Sequence, residues 1–344
     1  MKTYPRISIV TPTYNQGKYI EQTICSVLDQ NYPNLEYIII DGGSTDHTVD
    51  IIKKYESRLK YWISEADEGQ ADAINKGFAR STGEIFNWLN SDDYYEPGAL
   101  FQIGSLFNQN PQINVVCGKE WGFKDTKPHE RILHPGSIIR QNVFETIQTG
   151  IIDQPCTFFR KEALDELFPL DISLHYVMDR QLWWNYLLKY GQQDILQIDD
   201  VITNFRLHTH SKTVSEAAKV EQEFDRLRLS LFEALGAPQI LKLQPLQNSL
   251  PLYCNWQIHI GPPSSILAAF ILFYALRSYV KDELNVTAEL MRLLRLYKGW
   301  HMNNKEIKLW IASCVMPLWI LRGVKKIKQN LVVSAREPLT IKKQ

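Results

Sequence analysis

Over the first 118 residues, apolar positions recur with two alternating periods. Compact apolar runs at ISIV (7–10), LEYIII (35–40), KYWIS (60–64), EIFNWL (84–89) and INVVCG (113–118) have the length and side-chain shape of strands. Between them the spacing becomes that of a helix face. Ile20, Ile24, Val27 and Leu28 fall at i, i+4, i+7 and i+8, and TVDIIKKY (48–55) follows a capping candidate at Ser44, Thr45 or Asp46. Segments 70–79 and 98–107 complete the series. Strands and helices alternating this regularly predict an α/β domain, a Rossmann-like, mostly parallel sheet with helices on both faces.

Open parallel sheets bind ligands at the carboxyl ends of their strands. The polar stretches of this chain lie there: TPTYNQG after the first strand, DGGSTD after the second, SEADEGQ after the third and NSDD after the fourth. Surface loops are polar for their own reasons, so each alone says little; four in succession point to a ligand crevice. The last contains adjacent acids, Asp92 and Asp93, in FNWLNSDDYYEPGAL (86–100). A turn forms as easily with one Asn or Gly, so the repulsion of neighbouring carboxylates calls for an offsetting charge, such as a divalent cation.

Past residue 119 the pattern loosens. MDRQLWWNYLLKY (178–190) reads as an aromatic helix and residues 215–235 as a polar one. At helical spacing Trp183 and Trp184 are more readily core than a sugar-binding surface. From Gln239 onward the chain turns apolar and basic, with ILAAFILFYAL (266–276), an amphipathic stretch at 289–298 and LWIASCVMPLWIL (309–321).

Composition narrows the class. With 344 residues, 44% hydrophobic and 22% charged, the chain can bury a full core and is not disordered. Its formal charge is zero, yet residues 301–344 hold nine Lys and Arg against Glu306 and Glu337, a local +7 that leaves −7 elsewhere. Five scattered cysteines without a CxxC pair argue for a reducing compartment, and MKTYPRISIV lacks the apolar stretch of a signal peptide. The expected location is cytoplasmic, and nothing in the pattern calls for nucleic acid.

Taken in order, SIVTPTYNQGKYIEQTICSVLDQNYPNLEYIIIDGGSTDHT, SEADEGQADAINKGFARSTGEIFNWLNSDD, FPLDISLHYVMDRQLW and FRLHTHSKT resemble a family 2 glycosyltransferase of the GT-A fold over roughly residues 5–215. The resemblance implies inverting transfer of a sugar from a nucleotide sugar, a UDP-sugar first, to a glycan or lipid-linked acceptor in surface polysaccharide or glycolipid synthesis. It implies a GT-A catalytic domain at 1–215, with a nucleotide-sugar half (1–118) and an acceptor half (119–215), and a mainly helical extension at 216–344. Asp92 and Asp93 then correspond to the acidic motif that holds Mn²⁺ or Mg²⁺, with His208 as a further ligand and Asp92 also contacting the donor. Pro12, Tyr14, Asp41, Gln70, Asp72, Asn75 and Arg206 match donor-binding positions. Asp41 stands in for a family DDGS motif whose second acid is here Gly42. Asp179 matches the family base, although N-capping of its helix would also explain an Asp there. His210, Lys76, Trp183 and Trp184 are weaker candidates.

The apolar segment 309–321 is too short to span a bilayer and contains Pro317; with the basic residues that follow, 309–328 fits an interfacial helix on an anionic inner leaflet, or a helix packed on the domain with a solvated tail. Two other functions share the acids and the nested sheet: a sugar-phosphate nucleotidyltransferase, which would want a glycine-rich phosphate loop that TPTYNQGKY lacks, and a catalytically inactive nucleotide-sugar binding protein.

Overall fold

The computed structural model describes residues 4–209, 211–235, 256–259, scattered positions between 267 and 278, and 284–298. These fall into two compact units, one running through Ala234 and including residues 256–259, the other holding the helix Leu284–Lys298.

In the first unit, strands β1 (Ile7–Thr13), β2 (Leu35–Asp41), β3 (Tyr61–Ser64), β4 (Ile85–Trp88), β5 (Tyr94–Tyr95), β6 (Val115–Lys124), β7 (Lys127–His134), β8 (Thr157–Arg160) and β9 (Ile195–Leu207) form one sheet. The helices are α1 (Ile20–Leu28), α2 (Thr48–Tyr55), α3 (Gln70–Arg80), α4 (Ala99–Gln109), α5 (Val143–Thr149), α6 (Lys161–Leu164), α7 (Met178–Tyr190), α8 (Lys212–Ser215) and α9 (Ala217–Ala234). The strand order is β3-β2-β1-β4-β8-β6-β9-β5, with β7 on β6.

The first four strands are parallel, as the alternation predicts. All seven residues of β1 are buried, which is why it reads as a continuous apolar run: both faces are covered. Ile7 and Ile9 join a core with Ile20 and Ile24 of α1, Ile51 and Ile52 of α2, and Leu100 and Ile103 of α4. Val10, on the opposite side of the pleat, meets α3. None of the three capping candidates occupies the cap position of α2, which is His47; Asp46, one residue earlier, accepts the Thr48 N–H at 3.0 Å.

The second half of the sheet mixes directions. β6 runs parallel to β9, while β8 is antiparallel to both β4 and β6 and so joins the two halves. The expected strand at 113–118 extends to Lys124 because β7, β8 and β9 all hydrogen-bond to it. Helix α7 has no polar face: Trp183, Trp184, Tyr186, Leu187 and Leu188 are all at most 1% exposed, so the tryptophan pair is core. Glu223 of α9 accepts the backbone N–H groups of His175, Tyr176 and Val177 at 2.9, 2.6 and 3.0 Å, which ties α9 to the start of α7 within the first unit.

Among the described residues no helix is long and apolar enough to cross a membrane. The apolar and basic segment 309–328, with His210, lies outside the described residues.

Candidate active site

A cavity of about 810 Å³ opens where the ends of β1 and β4 approach the start of α7. Its volume suits a nucleotide-sized ligand. β1 brings Pro12 and Thr13 to the wall, and the following loop brings Tyr14. Thr13 Oγ1 is buried with no hydrogen-bond partner among the described residues, and the Tyr14 ring is 59% exposed. The loops after β1 and β2 are stitched together: Asn15 N–H donates to Ser44 Oγ at 2.7 Å, and Thr45 N–H to Asn15 Oδ1 at 2.8 Å.

Asp41 sits behind this wall. It is fully buried, and its carboxylate accepts from Gly43 N–H (3.2 Å), Ser44 N–H (2.9 Å), the Ser44 hydroxyl and Ser64 Oγ (2.6 Å). With those bonds it holds the DGGS turn, and it does not line the cavity. A Cβ at Gly42 would lie 2.7 Å from Asp67 Oδ2, so the Asp67 carboxylate occupies the space a side chain at 42 would need. Asp67 does line the cavity, and burial raises its pKa.

Helix α3 contributes Gln70, whose Nε2 donates to Asn90 Oδ1 at 2.8 Å. Asp72 and Asn75 point elsewhere. Asp72 accepts from Glu68 N–H (3.1 Å) and pairs with Lys76 (3.2 Å) at the helix start. Asn75 clamps Leu170 through its N–H and C=O at 2.7 and 2.8 Å.

The acidic loop is placed by a sheet contact that apolar patterning cannot reveal. Tyr94 and Tyr95 pair with Asn204 and Thr203 of β9, which draws Ser91–Asp93 against the end of that strand. Asp92 lines the cavity, with its Oδ2 2.9 Å from His208 Nε2. Asp93, 1% exposed, is turned inward, accepting from Arg206 N–H at 3.0 Å and Asn90 Nδ2 at 3.4 Å. Burial and the adjacent Asp92 push its pKa well above the carboxylate range. The Arg206 guanidinium is engaged by the Asp92 carbonyl (3.0 Å), Asp125 (3.0 Å) and Gln22 (2.5 Å), and so braces β9 against the loop. Arg206 nonetheless lines the cavity, and so does Lys212, which donates to Gln70 Oε1 (3.3 Å) and the His175 carbonyl (3.1 Å) and whose pKa burial lowers. Asp92 and His208 meet as a carboxylate–imidazole pair with Asp93 turned inward behind them; the described side chains whose ligand atoms gather within 4.8 Å as a group of three are instead Glu120, His134 and Asp153.

Asp179 lies in the first turn of α7 and does not cap it; the cap position is Val177 and Glu223 serves the backbone there. Its Oδ1 accepts from Arg180 N–H at 2.7 Å, and its carboxylate lines the cavity. Burial raises its pKa against the opposing pull of Arg180. Beside it the wall carries Asp153, Glu120, His134 and Gln154, none of them marked by a motif. Asp153 is pushed up to about 7, first by burial and then by Glu120. Glu120 and His134 are direct partners across the β6–β7 pairing, so their meeting depends on register, which no local pattern displays.

Comparison with known proteins bears on this arrangement. The profile of Glycosyl transferase family 2 matches residues 8–168. An uncharacterized glycosyltransferase of Rickettsia typhi is 27% identical over 287 residues, 81% of this chain and 82% of that protein. TuaG of Bacillus subtilis, a putative teichuronic acid biosynthesis glycosyltransferase, is 27% identical over 230 residues, 65% and 90% of the two chains. Among solved structures, S. aureus TarS (1–349) in complex with UDP-GlcNAc superposes with a TM-score of 0.54 at 15% identity, covering 94% of this chain and 88% of that one. The mannosyltransferase PcManGT of Pyrobaculum calidifontis, in complex with GDP-Man and Mn²⁺, superposes with a TM-score of 0.50 at 16% identity, covering 99% and 89%. The shared fold is GT-A, and residues 8–168 of the protein form a family 2 glycosyltransferase domain.

Proposed function

We propose that this glycosyltransferase moves a sugar from a UDP-sugar to a hydroxyl of a glycan or lipid-linked acceptor, with inversion and with a divalent cation, in the synthesis of a surface polysaccharide or glycolipid. One observation carries the reading: a single cavity is lined both by Asp92, at the end of a parallel strand, and by Asp179, whose carboxylate is desolvated and left free of capping duty. The relatives support the donor and product classes, since TarS was solved with UDP-GlcNAc, PcManGT with GDP-Man and Mn²⁺, and TuaG is assigned to teichuronic acid synthesis.

Pro12 and the exposed Tyr14 ring receive the base, with Thr13 Oγ1 available to a polar group of the nucleoside. Lys212 and Gln70 face the diphosphate. Asp92 with His208, and Asp93 behind them, would hold Mn²⁺ or Mg²⁺, which when bound neutralises charge on the departing diphosphate. Asp179 takes the proton from the acceptor hydroxyl as it attacks the anomeric carbon from the face opposite the leaving group. A carboxylate of raised pKa is the stronger base for that step. Arg206, in the wall, faces the donor and braces Asp92, while Asp41, Asp72 and Asn75 act behind the wall, holding the loops that bind. The enzyme works in the cytoplasm, on the inner face of the membrane if residues 309–328 bind anionic lipid; removal of residues 301–344 followed by cell fractionation tests that placement.

The direct test is a thermal-shift panel of nucleotide sugars with and without Mn²⁺, followed by NMR assignment of the product anomer. A UDP-sugar that raises the melting temperature only with Mn²⁺, and a product of inverted configuration, are the expected results. A retained anomer, or transfer at the wild-type rate by Asp179→Asn, would defeat the mechanism.

A further inference from the structure

We propose that Glu120, His134 and Asp153 form a second divalent-cation site, separate from the Asp92–His208 pair and built for a first-row transition ion such as Mn²⁺ or Zn²⁺. Each residue offers one ligand atom, and the three atoms lie within 4.8 Å of one another. In octahedral coordination with bonds of about 2.1 Å, neighbouring ligands stand about 3 Å apart, so small side-chain rotations close the set.

Two further observations point to a ligand. Glu120 is 3% exposed, and its Oε2 is buried without a hydrogen-bond partner among the described residues, while Oε1 meets His134 Nδ1 at 3.2 Å. A buried carboxylate oxygen left without a partner is costly, and a bound cation removes the cost. The imidazole is also cradled: a Cβ at Gly122 would lie 2.6 Å from His134 Nε2, so only glycine at that position in β6 leaves the ring where it is. The nearby basic group, Arg180, donates to the Gly150 carbonyl at 2.9 Å and does not reach across to neutralise Glu120. Two carboxylates with one imidazole form a borderline donor set, which favours Mn²⁺ or Zn²⁺ over Ca²⁺.

The site faces the cavity beside Gln154 and Asp179. Its open coordination positions would receive an oxygen of the acceptor, a role that rests on the glycosyl-transfer reading; the binding of the ion does not.

The experiment titrates metal-free, full-length protein with Mn²⁺ and follows the unbound ion by electron paramagnetic resonance, first without nucleotide and then with UDP. Without nucleotide the wild type should bind one ion per chain, and Glu120→Gln and His134→Ala should each weaken it tenfold or more. Asp92→Asn should leave this ion in place and lose a second one that appears with UDP. Gly122→Ala, which displaces the imidazole and touches no other ligand, should weaken the first ion as well. Visible spectra of the Co²⁺-loaded protein should change in His134→Ala, a third-exposed position where the fold survives even if Glu120→Gln does not fold. No nucleotide-independent ion, or one held equally well by Glu120→Gln and His134→Ala, overturns the proposal. Failure of the UDP-dependent ion alone would instead count against the donor reading.

Discussion

The two walls of the cavity are built on opposite economies of charge. On the β1–β4 side, polar groups are mostly engaged with the protein itself: Asp41 accepts four hydrogen bonds and Asn75 clamps Leu170. On the side of β6, β7 and α7, Glu120, Asp153 and Asp179 are desolvated acids with few partners. Saturated groups shape a site, whereas desolvated, unsaturated ones hold reactivity in reserve. The contrast teaches that a motif residue near a ligand site need not touch the ligand, and that chemistry concentrates where burial has outrun hydrogen bonding.

The largest effect should come from the unsaturated side. Asp179→Asn is expected to lower kcat for transfer by about 10²–10⁴-fold with little change in the donor KM, as for loss of a general base; steady-state kinetics with acceptor checks this, and an equal loss in donor binding would blur the division between the walls. Trp183→Ala should destabilise the folded protein by about 3–5 kcal/mol in urea titrations, because the indole is fully buried and stacked on Tyr186. A mild destabilisation with a large rise in acceptor KM would return that tryptophan to the binding surface.

Asp41→Ala comes next. It leaves two backbone N–H groups and two serine hydroxyls short of an acceptor, so a stability loss of about 2–3 kcal/mol is expected, with the donor KM rising because the turn loosens. Tyr14→Ala tests the same wall from the ligand side: the ring is exposed, so melting should be unchanged while donor affinity falls about tenfold, consistent with roughly 1.4 kcal/mol for a stacking contact. The smallest effect is on stability against pH. Asp179 has a raised pKa, so the folded state binds its proton more tightly than the unfolded chain does, and ionising it lowers stability as pH rises from the usual carboxylate range through the folded pKa. The melting temperature of Asp179→Asn relative to wild type should therefore be higher at pH 8 than at pH 4, while wild-type transfer gains rate over the same rise as the base ionises.

Much of the first half was legible because its strands are buried on both faces and its helices on one, so apolar spacing records their geometry. β1, β2 and α7 lie where the pattern places them. β5 and β7 left no such trace. β5 has two residues, and seven of the eight residues of β7 are exposed, so each exists only because a neighbouring strand offers its backbone. At the site, Asp92 and Asp179 stand in recognisable motifs and line the cavity, Asp67 and Lys212 lie in quoted stretches that did not single them out, and Glu120, His134 and Asp153 became visible only when distant segments met.

The order of apolar and polar residues by itself determined the alternating α/β half and the polar loops at its strand ends, and the quoted motifs marked the family 2 glycosyltransferase domain. Each follows from spacing or from motifs only a few residues long. Which carboxylates face the cavity, which are consumed as hydrogen-bond acceptors, and which sit desolvated beside one another was decided by the tertiary structure alone. Burial and partner choice depend on strand register and on contacts between residues far apart in the chain, and those have no counterpart in local order.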